Sequence, residues 1–148
     1  MTITSIQVFS IVKLCAITMQ ALIRYDIAQT VADRPNRSNV LSFTEMSALE
    51  LQQHLQNSTT QPILMDVREA WELEKCQLPN TVHVPMREIP SSLGQFDLDA
   101  EIVIICHHGI RSRAVANYLD QQDFSKVINL SGGIDQWAKE VDRDMATY

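Results

Sequence analysis

From residue 40 to residue 148 the chain alternates short apolar runs with longer segments whose apolar positions recur at helical spacing. Pro62-Ile-Leu-Met-Asp66, Thr81-Val-His-Val84, Glu101-Ile-Val-Ile-Ile-Cys106 and Lys126 to Leu130 have the length and apolar character of strands. The third is the strongest of them, because four successive branched aliphatics suit a sheet interior covered on both faces. Between these runs lie helical signals. Ser47-x-x-Glu50 is a capping box opening a helix with Leu49, Leu51 and Leu55 as its apolar positions. Glu69 to Lys75 is a short run of good helix formers. Arg113 to Gln122 carries Ala114, Val115, Tyr118 and Leu119 on one side, and Ile134 to Val141 forms a last helix after a Gly132-Gly133 turn. Strands alternating with helices predict an α/β fold, a parallel sheet with helices on both faces.

The pattern changes before residue 40. Ile3 to Ile23 is apolar at 14 of 21 positions, yet Lys13 interrupts it and polar residues are scattered through it. A spanning helix needs about 20 predominantly apolar residues, and a secretory signal needs positive charge ahead of its apolar stretch, which Met1 to Phe9 lacks. Phe9, Val12, Ala16, Met19 and Ile23 fall on one helical face. A helix lying on the domain, a poorly ordered leader, or a translation start at Met19 all rank ahead of a membrane-surface anchor. Asp33-Arg-Pro-Asn-Arg-Ser-Asn39 is turn-prone and reads as a linker. The chain therefore divides into an N-terminal extension and linker, 1–39, and a domain, 40–148.

Composition narrows the function classes. The chain has 148 residues, one domain's worth, with 45% hydrophobic and 20% charged residues. Three cysteines exclude a self-contained disulfide scaffold and point to a reducing, cytoplasmic setting. The four glycines cannot build either common phosphate-cradling fingerprint. The net charge of −6 argues against nucleic-acid binding. That charge is uneven: residues 1–39 carry four basic and two acidic side chains, and residues 40–148 carry eight and sixteen.

The chemistry converges on one loop. Ligands of open parallel sheets bind beyond the carboxyl ends of the strands. The strongest strand ends at Cys106, followed by His107-His108-Gly109-Ile110-Arg111-Ser112 and a helix. A cysteine at a helix N-terminus meets unpaired N–H groups and a dipole that stabilise its thiolate. Gly109 allows the loop to turn its amides inward as an anion nest. The histidines, with Arg111 and Arg113, concentrate positive charge there. A buried cysteine at a strand end explains Cys106 alone, but not the glycine and basic residues that follow.

The domain resembles the rhodanese-like sulfurtransferases, specifically the single-domain bacterial type. The resemblance rests on Asp66-Val-Arg-Glu69, on Leu78-Pro79 leading into Val82-His-Val-Pro85, on Cys106-His-His-Gly-Ile-Arg-Ser112, and on Leu130-Ser-Gly-Gly-Ile-Asp-Gln-Trp137. It departs where many members have Gly-His before the apolar-Pro step and this chain has Cys76-Gln77. The resemblance implies a three-layer fold around a central parallel five-stranded sheet. It implies that Cys106 is a nucleophile carrying a persulfide, that the amides from His107 to Arg111 hold the outer sulfur, and that the Ser112 hydroxyl assists. No metal or organic cofactor is expected; partners would be a small-molecule sulfur donor and acceptor, with a protein acceptor as a further option.

Individual residues keep two readings. Arg111 attracts the oxygens of a donor such as thiosulfate, or is a solvated arginine at a helix start. Asp66 and Arg68 brace the loop through an ion pair, or Asp66 caps the following helix. Adjacent histidines 107 and 108 are expected to point apart, with one solvated. Cys106, His107, His108 and His83 lack metal-ligand spacing. Trp137 reads as core, and Cys76 as idle or as a resolving thiol. The function classes are a thiosulfate sulfurtransferase, a persulfide carrier between proteins, and a cysteine phosphatase or arsenate reductase. The last needs C-x₅-R, but position 112 is serine.

Overall fold

The computed structural model describes residues 43–148, so the readings of residues 1–39 lie outside the described residues. Five strands form one sheet: β1 (Thr44–Met46), β2 (Ile63–Asp66), β3 (Thr81–His83), β4 (Glu101–Ile105) and β5 (Lys126–Leu130). Their order is β1-β5-β4-β2-β3, and every neighbouring pair is parallel. The helices are α1 (Ala48–Asn57), α2 (Ala70–Leu73), α3 (Ile89–Ser92), α4 (Ile110–Gln121) and α5 (Gly133–Glu140), with 3₁₀ turns at Met86–Glu88 and Leu93–Gln95.

β4 explains the layering. Its alternate residues enter two separate cores: Ile102 and Ile104 join Val115, Leu119 and Phe124, while Val103 and Ile105 join Leu51, Leu130, Ile134 and Trp137. One face of the sheet is thus covered by α4 and the other by α1 and α5, as period-2 alternation requires when both faces are buried. Trp137 packs in the second core. α1 opens on the Ser47–Glu50 capping box, with both reciprocal hydrogen bonds present.

Three features differ from the sequence reading. The edge strand β1 is absent from the residue-by-residue reading, because it has three residues and its side chains are largely exposed, leaving no apolar run to detect. The segment from Met86 to Gln95, not assigned from the sequence, forms short helical turns with Pro90 in the first turn of α3. α4 begins at Ile110, three residues before Arg113, because Gly109 at φ +87° supplies a left-handed turn that starts the helix at once. Ile110, Arg111 and Ser112 therefore belong to its first turn, and the connecting loop is only Cys106 to Gly109.

Candidate active site

Cys106 follows β4 directly and is buried. Its Sγ accepts a hydrogen bond from the Gly109 N–H at 3.1 Å and lies 3.2 Å from the Ser112 hydroxyl. A thiolate here would meet an amide and a hydroxyl already aimed at it, at the N-terminus of α4. Ile110, next along, is 76% exposed, so its side chain faces away from the sulfur into solvent.

The loop is shaped from outside by α5. Its first turn donates Ile134 N–H to the Cys106 carbonyl at 2.9 Å and Asp135 N–H to the His107 carbonyl at 3.1 Å. Because a trans peptide sets C=O and N–H on opposite sides, these bonds turn the His107 and His108 N–H groups away from α5. The approach needs Gly133, where a Cβ would stand 2.3 Å from both carbonyl oxygens, at a φ of +60°. From β5, buried Asn129 donates to Glu45 at 2.7 Å and to the Gly109 carbonyl at 3.4 Å. Glu45 also accepts from Arg113 at 2.7 Å and from the Ser131 hydroxyl.

Two ion pairs lie on the other side. Arg68 and Asp66 are both fully buried and joined by contacts of 2.7 to 3.1 Å. Burial alone would lower the Arg68 pKa, but the Asp66 hydrogen bonds and charge outweigh it and hold it above its ordinary range. The ion pair between these two residues is formed. Asp66 does not cap α2, because both its oxygens face the guanidinium and the N-cap is Glu69, paired reciprocally with Glu72.

Arg111 is part-exposed and paired with a carboxylate. Its two terminal nitrogens donate to the two oxygens of Glu72 at 2.7 Å each. Glu72 is 3% exposed and also accepts from the Glu69 N–H and the Tyr148 hydroxyl, each at 2.9 Å. Led by Arg111, and against the cost of burial, these bonds hold the Glu72 carboxyl down at about 2. A buried carboxylate needs such partners, and that need captures Arg111. The positive charge expected around Cys106 is accordingly compensated at both arginines, by Glu72 and Glu45.

The histidines also depart from expectation. Rather than pointing apart, the His107 and His108 rings stack at 3.9 Å, and His107 also stacks on Tyr148 at 4.2 Å. Burial, then the neighbouring His108 charge, lower the His107 pKa. Asp135 lies close to both rings. One ligand atom from each of His107, His108 and Asp135 lies within 4.8 Å of the others. Asp135 is held by Lys139 at 2.6 Å. His83 donates from Nε2 to the Arg68 carbonyl, 2.8 Å away.

Of the residues the sequence singles out, Cys106, Gly109 and Ser112 meet at the sulfur, His107, His108, Ile110 and Arg111 lie on the same loop and helix start, and Asp66 and Arg68 are linked to them through Tyr148, which stacks on His107. The sequence did not single out Glu72, Tyr148, Asn129, Glu45 or the buttressing role of Gly133. The paired glycines ahead of a helix were the one available signal. Cys76 sits against Arg68, with Sγ 3.9 Å from Nη1, and both it and Cys106 are free thiols.

Comparison with known proteins gives concordant matches. Residues 47–140 match the model of the rhodanese-like domain family. The thiosulfate sulfurtransferase GlpE of Pseudomonas savastanoi is 36% identical over 75 residues, 51% of this chain and 71% of that protein. YrkF of Bacillus subtilis, whose name is that of a sulfur carrier protein, is 37% identical over 99 residues; the match spans 67% of this chain but only 53% of YrkF. A crystal structure of a rhodanese-like domain protein from Staphylococcus aureus superposes with a TM-score of 0.61 at 30% identity, covering 66% of this chain and 94% of that one.

Proposed function

This chain belongs to the rhodanese-like family, whose matched members include sulfurtransferases, and on that premise we propose that it moves a sulfane sulfur from thiosulfate, or a related donor, to a thiophilic acceptor through a persulfide on Cys106. The observation that carries the reading is the Cys106 sulfur held between the Gly109 N–H and the Ser112 hydroxyl at the start of α4.

In the first step the Cys106 thiolate attacks the outer sulfur of thiosulfate. A bond from Sγ to that sulfur forms, the sulfur–sulfur bond of thiosulfate breaks, and sulfite leaves with the electron pair. In the second, cyanide or a thiolate attacks the outer sulfur and Cys106 departs as thiolate, so ping-pong kinetics are expected. The N–H groups of the loop from His107 to Arg111, with the Ser112 hydroxyl, stabilise the anionic persulfide without reorganising. Asp66 and Arg68 act as support. With Arg111 paired to Glu72, these amides are the main anion-binding groups for the donor. We assign the domain to residues 40–148 and its action to a reducing, cytoplasmic compartment, on the low and odd cysteine count.

A second reading, a persulfide carrier between proteins, is favoured by the exposure of Ile110 (76%) and Trp71 (56%) near the loop, and by the name of YrkF. A phosphatase or arsenate reductase is disfavoured by Ser112 at the position where C-x₅-R requires arginine.

Mass spectrometry after incubation with thiosulfate tests the assignment. The wild type and Cys76→Ser should gain one sulfur atom, and Cys106→Ser should gain none. Sulfur on Cys106→Ser overturns it. Subsequent discharge to cyanide, glutathione and protein thiols separates the enzyme from the carrier.

A further inference from the structure

Tyr148 is unexplained by the loop chemistry, yet it touches the supports of that loop on two sides. Its ring stacks on His107, the residue next to the nucleophile, at 4.2 Å and 17°. Its hydroxyl donates to Glu72 at 2.9 Å, and Glu72 in turn fixes Arg111, the fifth residue after the nucleophile. The same hydroxyl accepts from Arg68 at 2.9 Å. One phenol thus spans from the beginning of the Cys106 loop to the guanidinium in the first turn of α4. The ring therefore lies against the residue that directly follows Cys106.

The ring is also held from outside. Trp71 packs edge-on against it, with centroids 5.9 Å apart and planes at 71°. Trp71, Tyr148, His107 and His108 therefore form a continuous aromatic row, each ring in contact with the next. Tyr148 is held by two charge-assisted hydrogen bonds and two ring contacts, so it yields little to an incoming molecule. A wall of this kind discriminates by size.

We propose that Tyr148 is a specificity-determining residue that walls the entrance to Cys106 and favours small sulfur donors and acceptors over thiols of tripeptide size. The proposal rests on the sulfurtransferase reading. The disfavoured step is attack of a bulky thiolate on the outer sulfur: a sulfur–sulfur bond forms to the acceptor, the bond to Cys106 Sγ breaks, and Cys106 leaves as thiolate. Cyanide makes the corresponding attack with the smallest possible cross-section.

The test is the ratio of kcat/KM for glutathione to that for cyanide, each discharging persulfide loaded from thiosulfate. Tyr148→Ala should raise this ratio by about tenfold, the discrimination expected when a pocket wall is removed. Tyr148→Phe keeps the ring and should leave the ratio within twofold, although it loses both hydrogen bonds. A residue that only stabilises the fold would change both acceptors alike. Should Tyr148→Ala not fold, Trp71→Ala removes the exposed outer support instead and should raise the ratio in the same direction by a smaller factor. An unchanged ratio in the folded variant overturns the proposal. A wild type that takes up no sulfur overturns the underlying function, which is a separately visible result.

Discussion

Gly133→Ala subjects the architecture of the site to its most direct test. Gly133 is remote from Cys106 in sequence, and the substitution adds a single methyl group. That methyl would stand 2.3 Å from the carbonyl oxygens of Cys106 and His107, against an ordinary contact distance of at least 3.4 Å. The loop and the start of α5 must therefore separate by about 1 Å. Two costs add. A non-glycine residue in the left-handed region costs about 1–2 kcal/mol. The bonds from Ile134 N–H to Cys106 O and from Asp135 N–H to His107 O contribute about 1 kcal/mol each. The domain should lose roughly 3–4 kcal/mol, lowering its melting temperature by at least about 10 °C. Misplacing a reacting group by about 1 Å can cost about 100-fold in rate, so sulfur loading measured well below the melting temperature should fall by about that factor. Gly94→Ala is the matched control, because a Cβ at Gly94 would meet no atom within 4 Å; its stability should stay within about 0.5 kcal/mol of wild type. Wild-type loading and melting in Gly133→Ala would refute the idea that α5 shapes the loop.

Two further outcomes follow from the same contacts. Ser112→Ala removes the hydroxyl 3.2 Å from Sγ; a hydrogen bond to a charged group contributes about 1.5–3 kcal/mol, so stopped-flow loading should slow at least about tenfold with the circular-dichroism spectrum unchanged, and an unaltered rate would remove Ser112 from the mechanism. Glu72 has its pKa lowered from 4.5 to about 2, chiefly by Arg111, so the stability it contributes is full above pH 4.5 and is lost as pH falls through about 2. In urea titrations, Glu72→Gln should be less stable than wild type at pH 7 and the gap should shrink between pH 4.5 and pH 2; a constant gap would contradict the pairing.

What could be read from the sequence was what is written locally. Ile102 to Ile105 announced a central strand because burial on both faces demands an unbroken apolar run. Ser47 and Glu50 announced α1 because a capping box closes within one turn. Cys106, Gly109 and Ser112 were legible because strand end, left-handed turn and helix start are consecutive, and the structure adds the hydrogen bonds that join them. By contrast β1, with three residues and no apolar run, carried no such signal.

The sequence by itself determined the alternation of strands and helices, the position of the cysteine at the end of the central strand and the type of loop that follows it. Which charge meets which was decided only by the tertiary structure. The order β1-β5-β4-β2-β3 places the end of β2 beside the end of β4, bringing Glu72 against the Arg111 guanidinium 39 residues away. Tyr148 meets Arg68 across 80 residues. The capture of Arg111 follows from burial: Glu72, withdrawn from water, is stable as a carboxylate only with donors around it. No local pattern specifies those donors, because they become neighbours only when the sheet has formed.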